Sequence, residues 1–277
     1  MKSDQPKVLH PIAGRPLVSW VVQSALQAGA THCVVVVGHA REAVERELAH
    51  RFGGRVQTVV QAEQRGTGHA VQCALDGVNG LGERVLILYG DCPLIPHSLL
   101  RDLVGRSSEA KANVGLVTTH LEDPHGYGRI LRGSDGSVDC IREHRDCSPA
   151  ELAVREVNPG IYSIVTDFLR EAISKLTSDN AQGELYLTDT IAMAAKDGTV
   201  VDVEGQFEDL RGINDRLDLA ICTTRGRRRI AEELARGGVG FAEIDSVHID
   251  LDSEIEPGAY IGPNVQLRGK CIVREGA

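Results

Sequence analysis

The chain has 277 residues, 42% of them hydrophobic, and a formal charge of −9 at pH 7. That length and apolar content allow one large or two modest folded domains with a real core, and the acidic balance speaks against a nucleic-acid partner while leaving room for a locally basic pocket that holds a phosphorylated small molecule. No apolar run approaches the ~20 residues of a membrane span, the start lacks a secretory signal, and the seven scattered cysteines contain no C-x-x-C pair, so the expectation is a cytoplasmic protein without membrane, disulfide framework or zinc site, its cysteines mostly small core residues.

The opening "MKSDQPKVLHPIAGRPLV" sets Lys7 between a proline and an apolar pair, followed by a Gly-Arg-Pro turn and a helical pattern from Leu17, with no strand in front. Leu17, Val21, Ser24, Ala25 and Ala28 mark one face of that helix. The run "CVVVVGH" reads as a buried strand, "AREAVERELAH" as an amphipathic helix, "VQTVVQA" as a second strand, the stretch from about Thr67 as a helix, and "RVLILYGD" as a third strand. "NVGLVTTHL", "RILRG", "SVDCIREH" and "GIYSIV" add strands that are open to antiparallel pairing. Alternating helices and strands over some 210 residues predict an α/β fold with a mixed sheet.

From Asp215 to about Arg236 the pattern is helical and charged, with Leu217, Ile221, Ile230 and Leu234 as apolar markers. It reads as a linker helix, and "RGRRRI" within it as a solvated face, since no aromatic residues interleave with the arginines. Beyond it the period changes. Ile249, Ile255, Ile261, Leu267 and Val273 recur every six residues, with Ser253, Ala259, Val265 and Cys271 at the small positions. A hexapeptide repeat of this kind is the mark of a parallel β-helix, whose triangular coils stack branched aliphatics on one another. Fewer than two coils precede Ala277, so the solenoid is expected to be cut short there.

Asp91 lies just beyond the third strand, in "YGDCPL". Ligands of open α/β sheets bind outside the carboxyl ends of strands, and a carboxylate there suits magnesium; an aspartate that merely starts the turn before Pro93 is the equal alternative. In "QAEQRGTGHAV", Gly66 and Gly68 permit close backbone approach to a ligand at a helix start near Thr67, although a glycine-assisted strand-to-helix turn explains the stretch as well. His69 reads as packed rather than catalytic.

Taken with "HGYGRI", "REHRD", "VNPGIY", "GELYLTD" and "GINDR", these stretches fall in an order and spacing along nearly the whole chain that resembles the bifunctional N-acetylglucosamine-1-phosphate uridyltransferase/glucosamine-1-phosphate acetyltransferase family. The resemblance implies a Rossmann-like, glycosyltransferase-A-like nucleotidyltransferase domain over residues 1–214, a linker helix over 215–243, and the first hexapeptide repeats of a left-handed β-helix over 244–277. It implies transfer of uridylyl from UTP to N-acetylglucosamine 1-phosphate, with pyrophosphate leaving, in the synthesis of peptidoglycan and lipopolysaccharide precursors. Position by position, Lys7 matches a lysine on the nucleotide phosphates, Gln61, Gly66 and Thr67 the uracil-reading positions, and Asp91 and Asn214 the ligands of Mg²⁺. Tyr89, Gly90, Gly128, Glu143 and Asn158 match the sugar-phosphate pocket. A homotrimer through a longer β-helix is also implied.

Two departures stand out. In the family a strand and a loop of the form L-A-A-G-x-G-T-R-M precede "PKVLH", and Met1 falls on the last methionine of that loop, so this chain is expected to be truncated at both ends, with two exposed sheet edges and fewer donors to the triphosphate. The coils expected to hold acetyl-CoA likewise lie beyond Ala277. Pro159 stands where the family has threonine, which fixes φ and removes a backbone donor in the pocket. Two alternatives stay open, namely another sugar-1-phosphate nucleotidyltransferase and a fragment that binds nucleotide or sugar phosphate without turnover.

Overall fold

The structure is a computed structural model that describes residues 1–38 and 41–277; His39 of "CVVVVGH" and Ala40 of "AREAVERELAH" lie outside the described residues. In chain order its elements are β1 (Pro11–Ile12), β2 (Arg15–Pro16), α1 (Leu17–Gln27), β3 (Cys33–Val37), α2 (Arg41–Phe52), β4 (Val56–Val60), α3 (Thr67–Gly77), β5 (Arg84–Ile87) and α4 (His97–Glu109). There follow β6 (Val114–His120), β7 (Gly128–Arg132), β8 (Val138–Arg142), α5 (Pro149–Leu152), β9 (Glu156–Asn158), β10 (Tyr162–Val165), α6 (Thr166–Ser174), α7 (Asp189–Lys196), β11 (Val200–Glu204), α8 (Phe207–Leu210) and α9 (Arg216–Arg236). Six two-residue strands close the chain, β12 (Gly240–Phe241), β13 (His248–Ile249), β14 (Glu254–Ile255), β15 (Tyr260–Ile261), β16 (Gln266–Leu267) and β17 (Ile272–Val273). The chain divides into two compact units, one of Val22–Tyr89 and Ile95–Leu210, the other of Met1–Val21, Gly90–Leu94 and Arg211–Ala277.

The first unit is built on a seven-stranded mixed sheet, in the order β5-β10-β6-β9-β7-β8, with β11 parallel on the other edge of β6. β6 is central, pairing with β10, β9 and β11, and six of its seven residues are buried, as a strand covered on both faces requires. Val114, Leu116, Ile130, Ile141, Tyr162, Ile164, Leu169, Leu187 and Ile191 form its core. β3 and β4 make a separate parallel pair, Cys33 to Val37 in register with Val56 to Val60. Among the described residues β3 pairs β4 alone and β5 pairs β10 alone, so each keeps one unpaired edge. This also corrects the expectation of a buried strand at "CVVVV", where only Val37 is fully buried. An apolar run guarantees hydrophobic faces, not a neighbour on each edge.

In the second unit the short hairpin β1–β2, unforeseen in the sequence, supplies the turn before α1. Gly14 has φ +76°, and a Cβ there would lie 2.7 Å from Asp250 Cγ, so the turn admits no side chain. Asp215 caps α9 by accepting from the Leu217 and Asp218 N–H groups, and Ile12, Leu17, Ile213, Cys222, Ile230, Val247, Ile249 and Ile261 form the core. Two apolar markers of α9 were misassigned. Leu217 is 68% exposed and Ile221 is also exposed, while Cys222, Gly226, Ile230 and Ala231 carry the buried face. A Cβ on Gly226 would approach Ile12 Cγ2 to 2.8 Å, so close packing at a glycine, invisible to a hydrophobicity pattern, set the helix rotation. Nor is "RGRRRI" wholly solvated, since half-buried Arg227 and Arg229 donate to the carbonyls of Val247 and Leu94. The tail pairs in parallel at the expected spacing, Ile249 with Leu267 and Ile255 with Val273, each eighteen residues or three hexapeptides apart. Of the seven cysteines, only Cys92 and Cys222 are fully buried.

Candidate functional site

Lys7 sits in a single 3₁₀ turn closed by the Leu9 N–H on the Pro6 carbonyl, and the preceding proline is suited to that start because it has no N–H to satisfy. Its Nζ lies 2.5 Å from Asp91 Oδ2, with both side chains half-buried. The Ile213 N–H donates to the Asp91 carbonyl at 3.0 Å, which brings Asn214 beside Asp91. Asn214 is oriented by its own N–H, donated to Asp218 Oδ2 at 3.0 Å, while no described residue bonds its side-chain amide. A carboxylate and an amide carbonyl on adjoining backbone are hard oxygen donors of the kind magnesium takes, so the residues fit that ion. Gly90 precedes Asp91, and a Cβ on it would lie 3.5 Å from Val8 Cγ1, an ordinary contact distance. The sequence reading missed Cys92, whose buried thiol stands 3.7 Å from Asp91 Oδ1 and is pushed well up by burial and then by that carboxylate. Nothing in its spacing distinguishes it from the other cysteines.

The other unit holds the remaining positions. Gln61 follows β4, and its Nε2 donates to the Gly66 carbonyl at 3.1 Å and faces His69 Nδ1 at 3.2 Å. His69 is thereby packed, as expected. Gly66 and Gly68 do permit a close approach, but to the chain itself. With φ +101° at Gly66, its Cβ would lie 2.6 Å from the Leu185 carbonyl oxygen, and one on Gly68 would lie 2.5 Å from Leu176 Cδ1. Gly68 N–H donates to that same carbonyl at 2.8 Å, and Leu187 N–H to Thr67 Oγ1 at 3.1 Å. "GELYLTD" therefore clamps the start of α3, and the glycines are explained by sterics within the fold.

Cross-strand register assembles the rest. Gly128 on β7 is the partner of Asn158 on β9, and Glu143 follows the end of β8, with Glu143 Oε2 3.6 Å from where a Gly128 Cβ would stand. Asn158 is buried and fully oriented, Oδ1 accepting from the Gly160 N–H at 3.0 Å and Nδ2 donating to Tyr162 Oη at 2.6 Å. Gly160 has φ +83°, and a Cβ there would strike the Tyr89 ring at 2.3 Å. Pro159 fits this turn, because proline followed by glycine at positive φ is the type II pattern and a buried proline brings no N–H needing a partner. Glu143 Oε1 accepts from Thr188 Oγ1 at 2.9 Å. Burial pushes the Glu143 carboxyl up, the Thr188 hydroxyl opposes this, and Asp146 and Asp189 add to the rise. Thr188 was not singled out; one threonine after an apolar pair carries no distinguishing signal.

The chain carries an NTP transferase domain: the family described as MobA-like NTP transferase domain matches residues 1–185. More closely, the chain belongs to the GlmU family. It is 46% identical over 282 residues to the bifunctional protein GlmU of Sorangium cellulosum (strain So ce56), covering 100% of this chain and 59% of that protein. It is 43% identical over 287 residues to that of Cutibacterium acnes (strain DSM 16379 / KPA171202), covering 100% of this chain and 68% of the other. The chain thus spans about three fifths of the length of most of the curated relatives it matches. In three dimensions it is similar to a UDP-glucose pyrophosphorylase complexed with UDP-glucose (TM-score 0.61, 18% identity, 74% of this chain and 87% of that one). It is also similar to a putative glucose-1-phosphate thymidylyltransferase from Bacillus anthracis (TM-score 0.60, 21% identity, 86% and 89%). Those likenesses bear on the fold. Among the described residues no helix is long and apolar enough to cross a membrane.

Proposed function

We propose that the chain carries out uridylyl transfer from UTP to N-acetylglucosamine 1-phosphate. An oxygen of the sugar phosphate forms a bond to the α-phosphorus of UTP in line with the departing oxygen, and the bond from that phosphorus to the β-phosphate oxygen breaks, releasing pyrophosphate. The attacking oxygen is already ionised, so no general base is required. What the protein contributes is positioning and charge neutralisation.

The observation that carries this reading is the Lys7–Asp91 pair with Asn214 alongside, in a chain that is 46% identical to a curated GlmU. Asp91 and Asn214 would hold Mg²⁺, which would supply Lewis-acid neutralisation of phosphate oxygens. Lys7 moves from Asp91 to the nucleotide phosphates. Gln61, Gly66 and Thr67 read uracil. Tyr89, Gly90, Gly128, Glu143 and Asn158 receive the sugar phosphate, where preorganised Asn158 and Glu143 select by hydrogen bonding.

The corresponding domains are a nucleotidyltransferase over 1–214, the linker helix over 215–243 and a left-handed β-helix starting in 244–277, which trimerises in a longer chain. The setting is the cytoplasm, where the nucleotide sugar feeds cell-wall precursor synthesis. The test is pyrophosphate release by the purified protein with Mg²⁺ across four nucleoside triphosphates and a panel of sugar 1-phosphates. The highest kcat/KM is expected with UTP and N-acetylglucosamine 1-phosphate. A preference for another base or sugar would overturn the substrate reading, and absence of turnover with retained UTP binding would leave a binding protein.

A further inference from the structure

Arg129 on β7 is 2% exposed, yet among the described residues it forms no ion pair. One terminal nitrogen donates to the Tyr127 carbonyl, the other stands 3.4 Å from His144 Nδ1, and Nε has no partner. A buried guanidinium without a carboxylate is among the most costly placements for a side chain, so its two contacts call for a reason beyond packing.

Those contacts fall at informative places. Tyr127 immediately precedes Gly128, and its ring meets Phe207 edge-on at 5.8 Å. His144 immediately follows Glu143, and its ring meets His125 edge-on at 4.6 Å. Alternation along β7 puts Arg129 on the face opposite Gly128 and Ile130, so it reaches Gly128 and Glu143 only through the backbone. We propose that Arg129 is a positioning residue for the sugar-phosphate pocket, a brace behind the sheet that holds the Tyr127–Gly128 and Glu143–His144 backbones in one arrangement. This rests on the reading of Gly128 and Glu143 as sugar-phosphate contacts.

Arginine offers only donors, so His144 Nδ1 must accept and its ring must be neutral, with the proton on Nε2. Protonation would set an N–H against the guanidinium. Burial opposes it first, then His125, Arg129 and Arg145, while Asp123 favours it, so the imidazole titrates below its ordinary range. The brace is therefore intact at neutral pH and is released as pH falls through that lowered value.

Calorimetric binding of N-acetylglucosamine 1-phosphate at about pH 7.5 and about pH 5.5 tests the brace without requiring turnover. Arg129→Met and His144→Phe are expected to weaken binding about tenfold at the higher pH. His144→Asn, whose Oδ1 can accept where Nδ1 does, should stay within about twofold of the parent and show a shallower loss on acidification. Glu143 titrates in both proteins, so the difference between the two pH profiles isolates the imidazole. Parent-like affinity in His144→Phe, or parent-like acid loss in His144→Asn, would overturn the brace even if Arg129→Met simply unfolds. Glu143→Gln and Gly128→Ala distinguish the levels. If they weaken binding and the His144 variants do not, only the brace fails; if they leave it unchanged, the pocket assignment falls and the brace with it.

Discussion

Around Asp91 the side chains are half-exposed and joined by charge, whereas around Asn158 they are buried and joined by neutral hydrogen bonds. An ion pair as exposed as Lys7–Asp91 contributes only about 0–1 kcal/mol, so Lys7 can leave Asp91 for a phosphate at small cost. The Asn158 network cannot be rearranged so cheaply, because each unpaired buried group costs about 1–3 kcal/mol. The first region suits charge that shifts during a reaction, and the second suits discrimination among neutral hydroxyl and amide groups.

The hardest test of that contrast is Asp91→Asn. We predict a loss of about 10²–10³-fold in pyrophosphate release, with Mn²⁺ binding measured by paramagnetic resonance weakened in parallel and the melting temperature nearly unchanged. Normal metal binding in the variant would move the ion away from Asp91. Lys7→Met is expected to split the two readouts, lowering turnover by about 10²-fold while Mn²⁺ alone binds more tightly, since Asp91 loses its competing cation. Weaker Mn²⁺ binding instead would make Lys7 a support for the metal site rather than its competitor.

Smaller effects sharpen the comparison from the buried side. Gly66→Ala should cost about 1–3 kcal/mol in urea unfolding, from a Cβ 2.6 Å from the Leu185 carbonyl oxygen and a φ of +101°. A neutral result would mean that the "GELYLTD" clamp is loose. Glu143→Gln should change the melting temperature least. The folded Glu143 carboxyl titrates above its unfolded value because it is buried, so the fold is favoured at low pH and loses stability as pH rises through that raised value. The variant should therefore melt slightly higher than the parent near pH 8, with the gap closing near pH 4; a constant gap would implicate the Thr188 hydrogen bond instead.

Legibility followed the range of the forces involved. "PKVLH", "YGDCPL" and "GIND" could be matched in the sequence because charged and amide groups beside apolar residues stand out against their neighbours. Thr188, Cys92 and Arg129 could not, since what marks them is burial beside a particular partner, 45 residues away for Thr188 and Glu143. Gly66 and Gly68 were legible as a place of close approach, but not what approaches: a missing Cβ makes room without naming the occupant.

By itself the sequence determined the alternation of helices and strands, the helical pattern that begins at Asp215 and the six-residue period whose stacking at eighteen residues the tail displays. Those features depend on dihedral preference and on spacing along one chain. Only the tertiary structure decided which face of α9 is buried, which strands carry the two unpaired edges expected from the sequence, and that Arg129 lies buried without a counter-ion among the described residues. Each of these depends on which distant backbone comes within a few ångströms. Close packing and hydrogen bonding act at that range, and hydrophobic periodicity is nearly blind to it.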